Sequence, residues 1–149
     1  MKIYIETRVA GDFREVFAGF TKDLFVELTP PGIPVRLLRF DGSKAGDVVH
    51  LELKFPGFTQ QWISTITADA CSDAECYFID EGTHLPFFLS AWRHVHRIRR
   101  APDGRGAIIT DDIEFKCPLP GMSLGVYPVL WRQFRARGPV YQRIFGKPV

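Results

Sequence analysis

Ala91-Trp92-Arg93-His94-Val95-His96-Arg97-Ile98-Arg99 alternates without a break, and its two faces differ in kind. Successive side chains on a strand point to opposite sides. Arg93, Val95, Arg97 and Arg99 therefore share one face, and Trp92, His94, His96 and Ile98 share the other. Arginines cost little on a solvated face, whereas buried they need partners. The stretch predicts a strand whose tryptophan and two histidines look inward.

Its neighbours extend the pattern. Ala107 to Lys116 predicts a strand with Asp111, Ile113 and Phe115 on one face and Asp112, Glu114 and Lys116 on the other. The turn-rich loop Ala101 to Gly106 joins the two strands as a hairpin. Glu114 then lies near Arg93 outside, a favourable cross-strand pair. Inside, Asp111 comes opposite His94 or His96. One strand earlier, Glu75 to Glu81 groups Cys76, Phe78 and Asp80, and Gln61 to Ala68 offers Trp62, Ser64 and Ile66. The inner wall thus holds Trp62, Phe78, Trp92 and Phe115, with Asp80, His94, His96 and Asp111 among them. Apolar walls with a few polar groups are what a small-molecule site requires.

Working outward, residues 2–9 alternate as a half-buried strand, with Ile3, Ile5, Thr7 and Val9 on one side. Asp12, with Glu15 three residues on, marks a helix start. Phe13, Val16, Phe17 and Phe20 follow at helical spacing, and Asp23 to Leu28 forms a second short helix that Pro30-Pro31-Gly32 ends. Val35 to Phe40 and Asp47 to Phe55 are hairpin partners across Asp41-Gly42. Pro118 and Pro120-Gly121 end the run of strands. Leu124, Tyr127, Leu130, Trp131 and Phe134 then recur in steps of three and four, the apolar face of a long helix. Gly138-Pro139 kinks or restarts it, and Tyr141, Ile144 and Phe145 continue its face. Strand, two short helices, six strands and a long helix argue for an α+β domain with an antiparallel sheet. A seven-stranded sheet cannot hide its inner face alone. The last helix is its cover, so Tyr127, Trp131 and Phe134 face the sheet and share in lining any cavity.

The 149 residues suit one domain, and 46% hydrophobic with 24% charged residues is ordinary globular composition. A net charge of +2 gives no case for nucleic acid. The arginines of the last helix, Arg132, Arg135 and Arg137, read as a solvated face. Cys71, Cys76 and Cys117 show neither a disulfide framework nor zinc-ligand spacing, and read as reduced thiols. With no bilayer-length apolar run and no signal-peptide core, a cytoplasmic protein is expected.

At this point the chain resembles the SRPBCC superfamily, the helix-grip domains that include START lipid-transfer proteins, pathogenesis-related plant allergens and aromatic polyketide cyclases. More narrowly it resembles the small bacterial ligand-binding SRPBCC proteins. The residues that carry this are Phe78-Ile79-Asp80 with Pro86-Phe87, Trp92-Arg93-His94-Val95-His96, Thr110-Asp111-Asp112-Ile113-Glu114-Phe115 with Pro118, Leu124-Gly125, and Phe134-Arg135-Ala136-Arg137. The resemblance implies a helix-grip fold: a curved seven-stranded antiparallel sheet wrapped around a long C-terminal helix. It implies an internal cavity for a hydrophobic or amphipathic small molecule, and no cofactor. The Gly138-Pro139 break departs from a continuous last helix.

Three readings of the polar cluster compete. His94 and His96 can ligate a metal if Asp80 or Asp111 joins them; two inward histidines hydrogen-bonded to those carboxylates explain the pattern more simply, and no metal is expected. Asp111 with either histidine can form an acid–base pair, or a satisfied network that specifies strand register. No Gly-x-Ser-x-Gly nucleophile motif is present. The leading expectation is a binding module, monomeric or homodimeric, that holds an apolar or aromatic small molecule with its polar end oriented by His94, His96 and Asp111. The alternative is a cyclase or dehydratase using the same residues. A stress-related or toxin–antitoxin interaction protein is a third reading that no motif selects.

Overall fold

The computed structural model describes residues 1–29 and 33–149; the expected stop at Pro30-Pro31-Gly32 lies outside them. β1 (Lys2–Val9) leads to α1 (Phe13–Ala18) and α2 (Lys22–Glu27). Then come β2 (Val35–Phe40), β3 (Val48–Phe55), β4 (Phe58–Cys71), β5 (Glu75–His84), β6 (Ala91–Arg100) and β7 (Ala107–Lys116). α3 (Ser123–Arg135) and α4 (Arg137–Phe145) close the chain. The strands form one antiparallel sheet in the order β1-β7-β6-β5-β4-β3-β2. Consecutive strands from β2 onward are neighbours, and β1 returns to pair with β7.

Local chemistry explains the elements. In β1, Ile3, Ile5, Thr7 and Val9 are buried in strict alternation. Asp12 caps α1 by accepting from the Arg14 amide at 3.0 Å, and Thr21 caps α2 through the Leu24 amide. Gly106 lets β7 start against the end of β1: it sits at φ +81°, where a Cβ would collide with the Val9 carbonyl. Register shifts between Ile63 and Ser64 and between Ile66 and Ala68 put bulges in β4, which bend the sheet.

The C-terminal cover is two helices in series. They meet at Ala136, and Pro139 brings no N–H to the first turn of α4. The sequence expectation of a kink or restart at Gly138-Pro139 is met two residues early, at Ala136.

The outer face of β6 is as expected. Arg93 pairs with Glu81 (3.6 Å), Arg97 with Glu75 (3.4 Å) and Arg99 with Glu6 (2.9 Å). Arg93 does stand opposite Glu114 in register, but its ion pair goes to Glu81. These exposed pairs are each worth under about 1 kcal/mol.

Two apolar clusters lie under the helices. One joins Val9, Phe13, Val16, Ile98, Ile109 and Tyr141. The other joins Ile3, Ile5, Trp92, Ile113, Phe115, Leu130 and Phe134. Along β6 the inward residues run Trp92, His94, His96, Ile98. The histidines therefore form a polar belt between the two clusters.

One expectation is overturned. Cys71 and Cys76, register partners at the tip of the β4–β5 hairpin, form a disulfide, and Cys117 is free. Five residues of separation hid a pair that a two-stranded turn makes adjacent. The cytoplasmic expectation loses the support it drew from reduced thiols.

Candidate functional site

A cavity of about 260 Å³ lies between the sheet and the helices. Val35, Val49, Leu51, Leu53, Phe55 and Trp62 of β2, β3 and β4 form one wall. Phe25 of α2 and its C-cap Leu28, with Val126, Leu130 and Phe134 of α3, form the other. Thr29, Gly125 and Val129 also line it and are exposed, which places its mouth between the end of α2 and the first half of α3. Its polar lining comes from Ser64, Asp80, His94, His96, Gln133 and Arg137. A second void of about 30 Å³, close to the room one water occupies, shares Asp80, His96 and Arg137 with it and adds Phe78 and Phe20.

The polar belt is built on Asp111. His96 faces Asp111 in the strand register, yet the hydrogen bond is diagonal: the His94 Nε2–H donates to Asp111 Oδ1 at 2.9 Å. His96 Nδ1 lies 3.7 Å from the same oxygen and has no hydrogen-bond partner. Its ring stacks on Phe78 at 4.2 Å, and the two imidazoles lie 3.6 Å apart, centroid to centroid. Arg137 Nη1 approaches Asp111 Oδ1 at 3.9 Å, with its guanidinium 4.1 Å over the Phe134 ring.

Burial decides the charge states. It pulls both histidines well below the ordinary imidazole value, helped by Arg137 and, for His96, by His94. Both are neutral near pH 7, so His94 keeps one nitrogen free of a proton. Burial also raises Asp111, while Arg137 and His96 hold it down. The imidazole N–H and the guanidinium beside it favour the ionised form, against that burial.

Asp80 has a different setting. It stands opposite His94 in the register but makes no hydrogen bond to it. Its Oδ1 is buried without a partner, and burial raises its pKa to about 6 against the pull of Ser64 and Arg137.

His94, His96 and Asp111 also present one ligand atom each within 4.8 Å of one another, a spacing open to a metal ion. Arg137 approaches the same Asp111 oxygen, and its positive charge opposes a cation there.

No family model and no curated protein matches this chain. Solved structures do. Norcoclaurine synthase from Thalictrum flavum aligns over 97% of this chain and 85% of its own, with a TM-score of 0.66 and 11% identity. The Zhui aromatase/cyclase from Streptomyces sp. R1128 covers 97% and 95%, at 0.65 and 15%. Ara h 8.0201 covers 96% and 98%, at 0.58 and 20%. The chain shares the helix-grip fold of these structures. At these identities the likeness concerns the fold.

Within this helix-grip domain, Trp62, Asp80, Trp92, His94, His96 and Phe134 line the main cavity, and Phe78 lines the smaller one. Asp111 reaches the cavity only through His94, because it lies wholly buried behind the imidazoles. Phe115 and Tyr127 pack on each other in the α3 cluster, away from the lining. Trp131 is corrected outright: it is 41% exposed on the outer side of α3, under the Arg135 guanidinium. Arg137 is corrected in the other direction, from solvated face to the belt's only cation among the described residues. The signal was present: Leu130, Phe134, Arg137 and Tyr141 recur in steps of four, three and four, one buried helix face. The apolar lining from β2, β3 and α2 was also missed, since alternation does not say which strands face a void.

Proposed function

We propose that this helix-grip domain binds a hydrophobic or amphipathic small molecule, its apolar body against Leu51, Phe55 and Trp62 and its polar end at the His94–His96–Asp111 belt. The observation that carries this reading is the cavity itself. It is larger than the roughly 150 Å³ engineered void that admits benzene, and Asp80, His94, His96 and Arg137 stand in a mostly apolar lining. Apolar walls supply affinity and the few polar groups fix orientation. His94, held by Asp111, is the orienting group in contact with the cavity.

Native mass spectrometry of the purified protein, with thermal-shift screening of fatty acids, polyketide-like aromatics and dyes, tests this. A bound organic species, or a stabilising hit that Leu51→Trp abolishes in a folded protein, is the expected result. Hits that survive Leu51→Trp unchanged place binding elsewhere and overturn it.

A cyclase- or dehydratase-type enzyme is the second reading, favoured by one observation: the 2.9 Å His94–Asp111 bond sits at the cavity wall. A neutral imidazole oriented by a carboxylate is suited to moving a proton on a bound carbonyl compound. Incubating the protein with methyl naphthyl ketone in D₂O tests it. Deuterium exchange at the methyl group above the buffer rate, lost in His94→Gln, is expected; exchange at the buffer rate removes this reading.

A further inference from the structure

The belt holds two carboxylates, Asp80 and Asp111, and one arginine. Arg137 and the His94 N–H both serve Asp111. Among the described residues, no Lys or Arg nitrogen lies within 4 Å of Asp80, whose Oδ1 has no hydrogen-bond partner. Asp80 lines both voids, so it stands where a ligand's polar end would arrive. With the imidazoles neutral, the ionised belt carries one uncompensated negative charge inside an apolar cavity. Such a charge is costly unless an opposite one joins it. Resting on the cavity-binding reading above, we propose that the ligand's polar end is an ammonium group and that Asp80 is its counter-ion.

The groups around Asp80 agree with this. β6 presents Trp92, His94 and His96, β4 presents Ser64, β7 presents Asp111 behind the imidazoles, and α4 presents Arg137, which pulls on Asp80 but makes its ion pair, at 3.9 Å, with Asp111. α2 and its two caps bring Thr21, Leu24, Phe25 and Leu28 to the two voids, none of them charged, and β3 brings apolar side chains. Glu81 is next in the chain but turns to the outer face, where it meets Arg93. A carboxylate ligand would add a second negative charge, which one arginine shared with Asp111 does not offset. An alcohol would satisfy the orphaned oxygen and leave the charge.

Calorimetric titration with three probes of matched body, naphthylethylamine, naphthylethanol and naphthylacetate, tests the assignment. Near neutral pH the amine should bind at least about tenfold more tightly than the alcohol, the equivalent of about 1.4 kcal/mol, and naphthylacetate should bind most weakly. Asp80 is half-protonated at about pH 6, whereas the amine stays charged. Lowering the pH one unit below that point should therefore weaken the amine by about tenfold and the alcohol by far less. Asp80→Asn should erase both the preference and its pH dependence, its fold checked by an unchanged circular-dichroism spectrum and a cooperative thermal melt. An amine no tighter than the alcohol, or a preference that survives Asp80→Asn, overturns the proposal while the cavity reading stands. Failure of all three probes overturns both.

Discussion

Ile3, Ile109, Ile113 and Phe115, on β1 and β7, keep at most 1% of their surface. Val35, Leu51, Phe55 and Trp62, on β2, β3 and β4, also line the inside and yet stay only half-buried. Both sets are apolar residues of one sheet. What differs is the cover. α1, α3 and α4 lay their main contacts on β1, β5, β6 and β7, and the cavity occupies the space over β2 to β4. An inward apolar face is thus necessary for a core and equally for a hollow; the placement of the helices decides which it becomes.

Core truncation breaks or confirms this contrast most strongly. Phe115→Ala should cost about 3–5 kcal/mol, because it opens a void in packed surroundings. Leu51→Ala should cost under about 1.5 kcal/mol, since one side of Leu51 already lacks partner atoms. Urea unfolding of both variants measures this, and equal losses would mean that the two halves are packed alike.

The belt between the halves comes next. Asp111→Asn strips Arg137 of its carboxylate and should destabilise by about 3 kcal/mol, as removal of one partner of a buried pair does. Adding Arg137→Met should recover part of that loss. A double variant no better than the single one would show that Arg137 is not strained by the missing charge.

Asp80→Asn should act in the opposite sense. Its folded pKa of about 6 lies above the ordinary 3.8, so the ionised form is penalised by folding. That penalty is present above pH 6 and vanishes below the ordinary value. The variant should be more stable than the parent by about 1–3 kcal/mol near pH 7.5, discounted for the carboxyl's access to the cavity. The gain should fade as the pH falls toward 4. His94 and His96 contribute with the opposite sign, since their depressed values make stability fall as the pH drops below about 6.5. Both proteins retain them, so the difference between the two thermal-melt profiles isolates Asp80. A gain independent of pH would contradict the charge assignment.

The smallest effect is expected on the outside of α3. Trp131→Ala should change stability by under about 1 kcal/mol and leave naphthylethanol affinity unchanged. Loss of binding would return Trp131 to the cavity wall.

The sheet was legible because period-two alternation ran through β1, β6 and β7 with charged and apolar faces cleanly separated. Strand 91–99 also showed that His94 and His96 look inward, and the hairpin brought Asp111 to them. Which histidine bonds Asp111 was not legible, because the register pairs His96 with it while the longer diagonal reach of His94 makes the bond. Trp131 and Arg137 were read in reverse. Trp131 fits a helix face by hydropathy alone, whereas Arg137 had to be placed by spacing against its charge. The Cys71–Cys76 bond escaped because a hairpin tip, not a sequence spacing, brings the two residues together.

The pairing of β1 with β7 has a consequence for how the chain acquires this shape. Ile3 meets Ile113 and Val9 meets Ala107, so the first strand made waits for the last. Each strand from β3 onward can zip onto its predecessor as it emerges. Closing a long loop costs entropy before any contact repays it. The first strand should therefore be the last to dock, and Ile3, Ile5 and Val9 stay uncovered throughout synthesis. A nascent chain halted before β7 would present that strand as an open edge, the state in which this protein is most vulnerable to aggregation and to proteolysis.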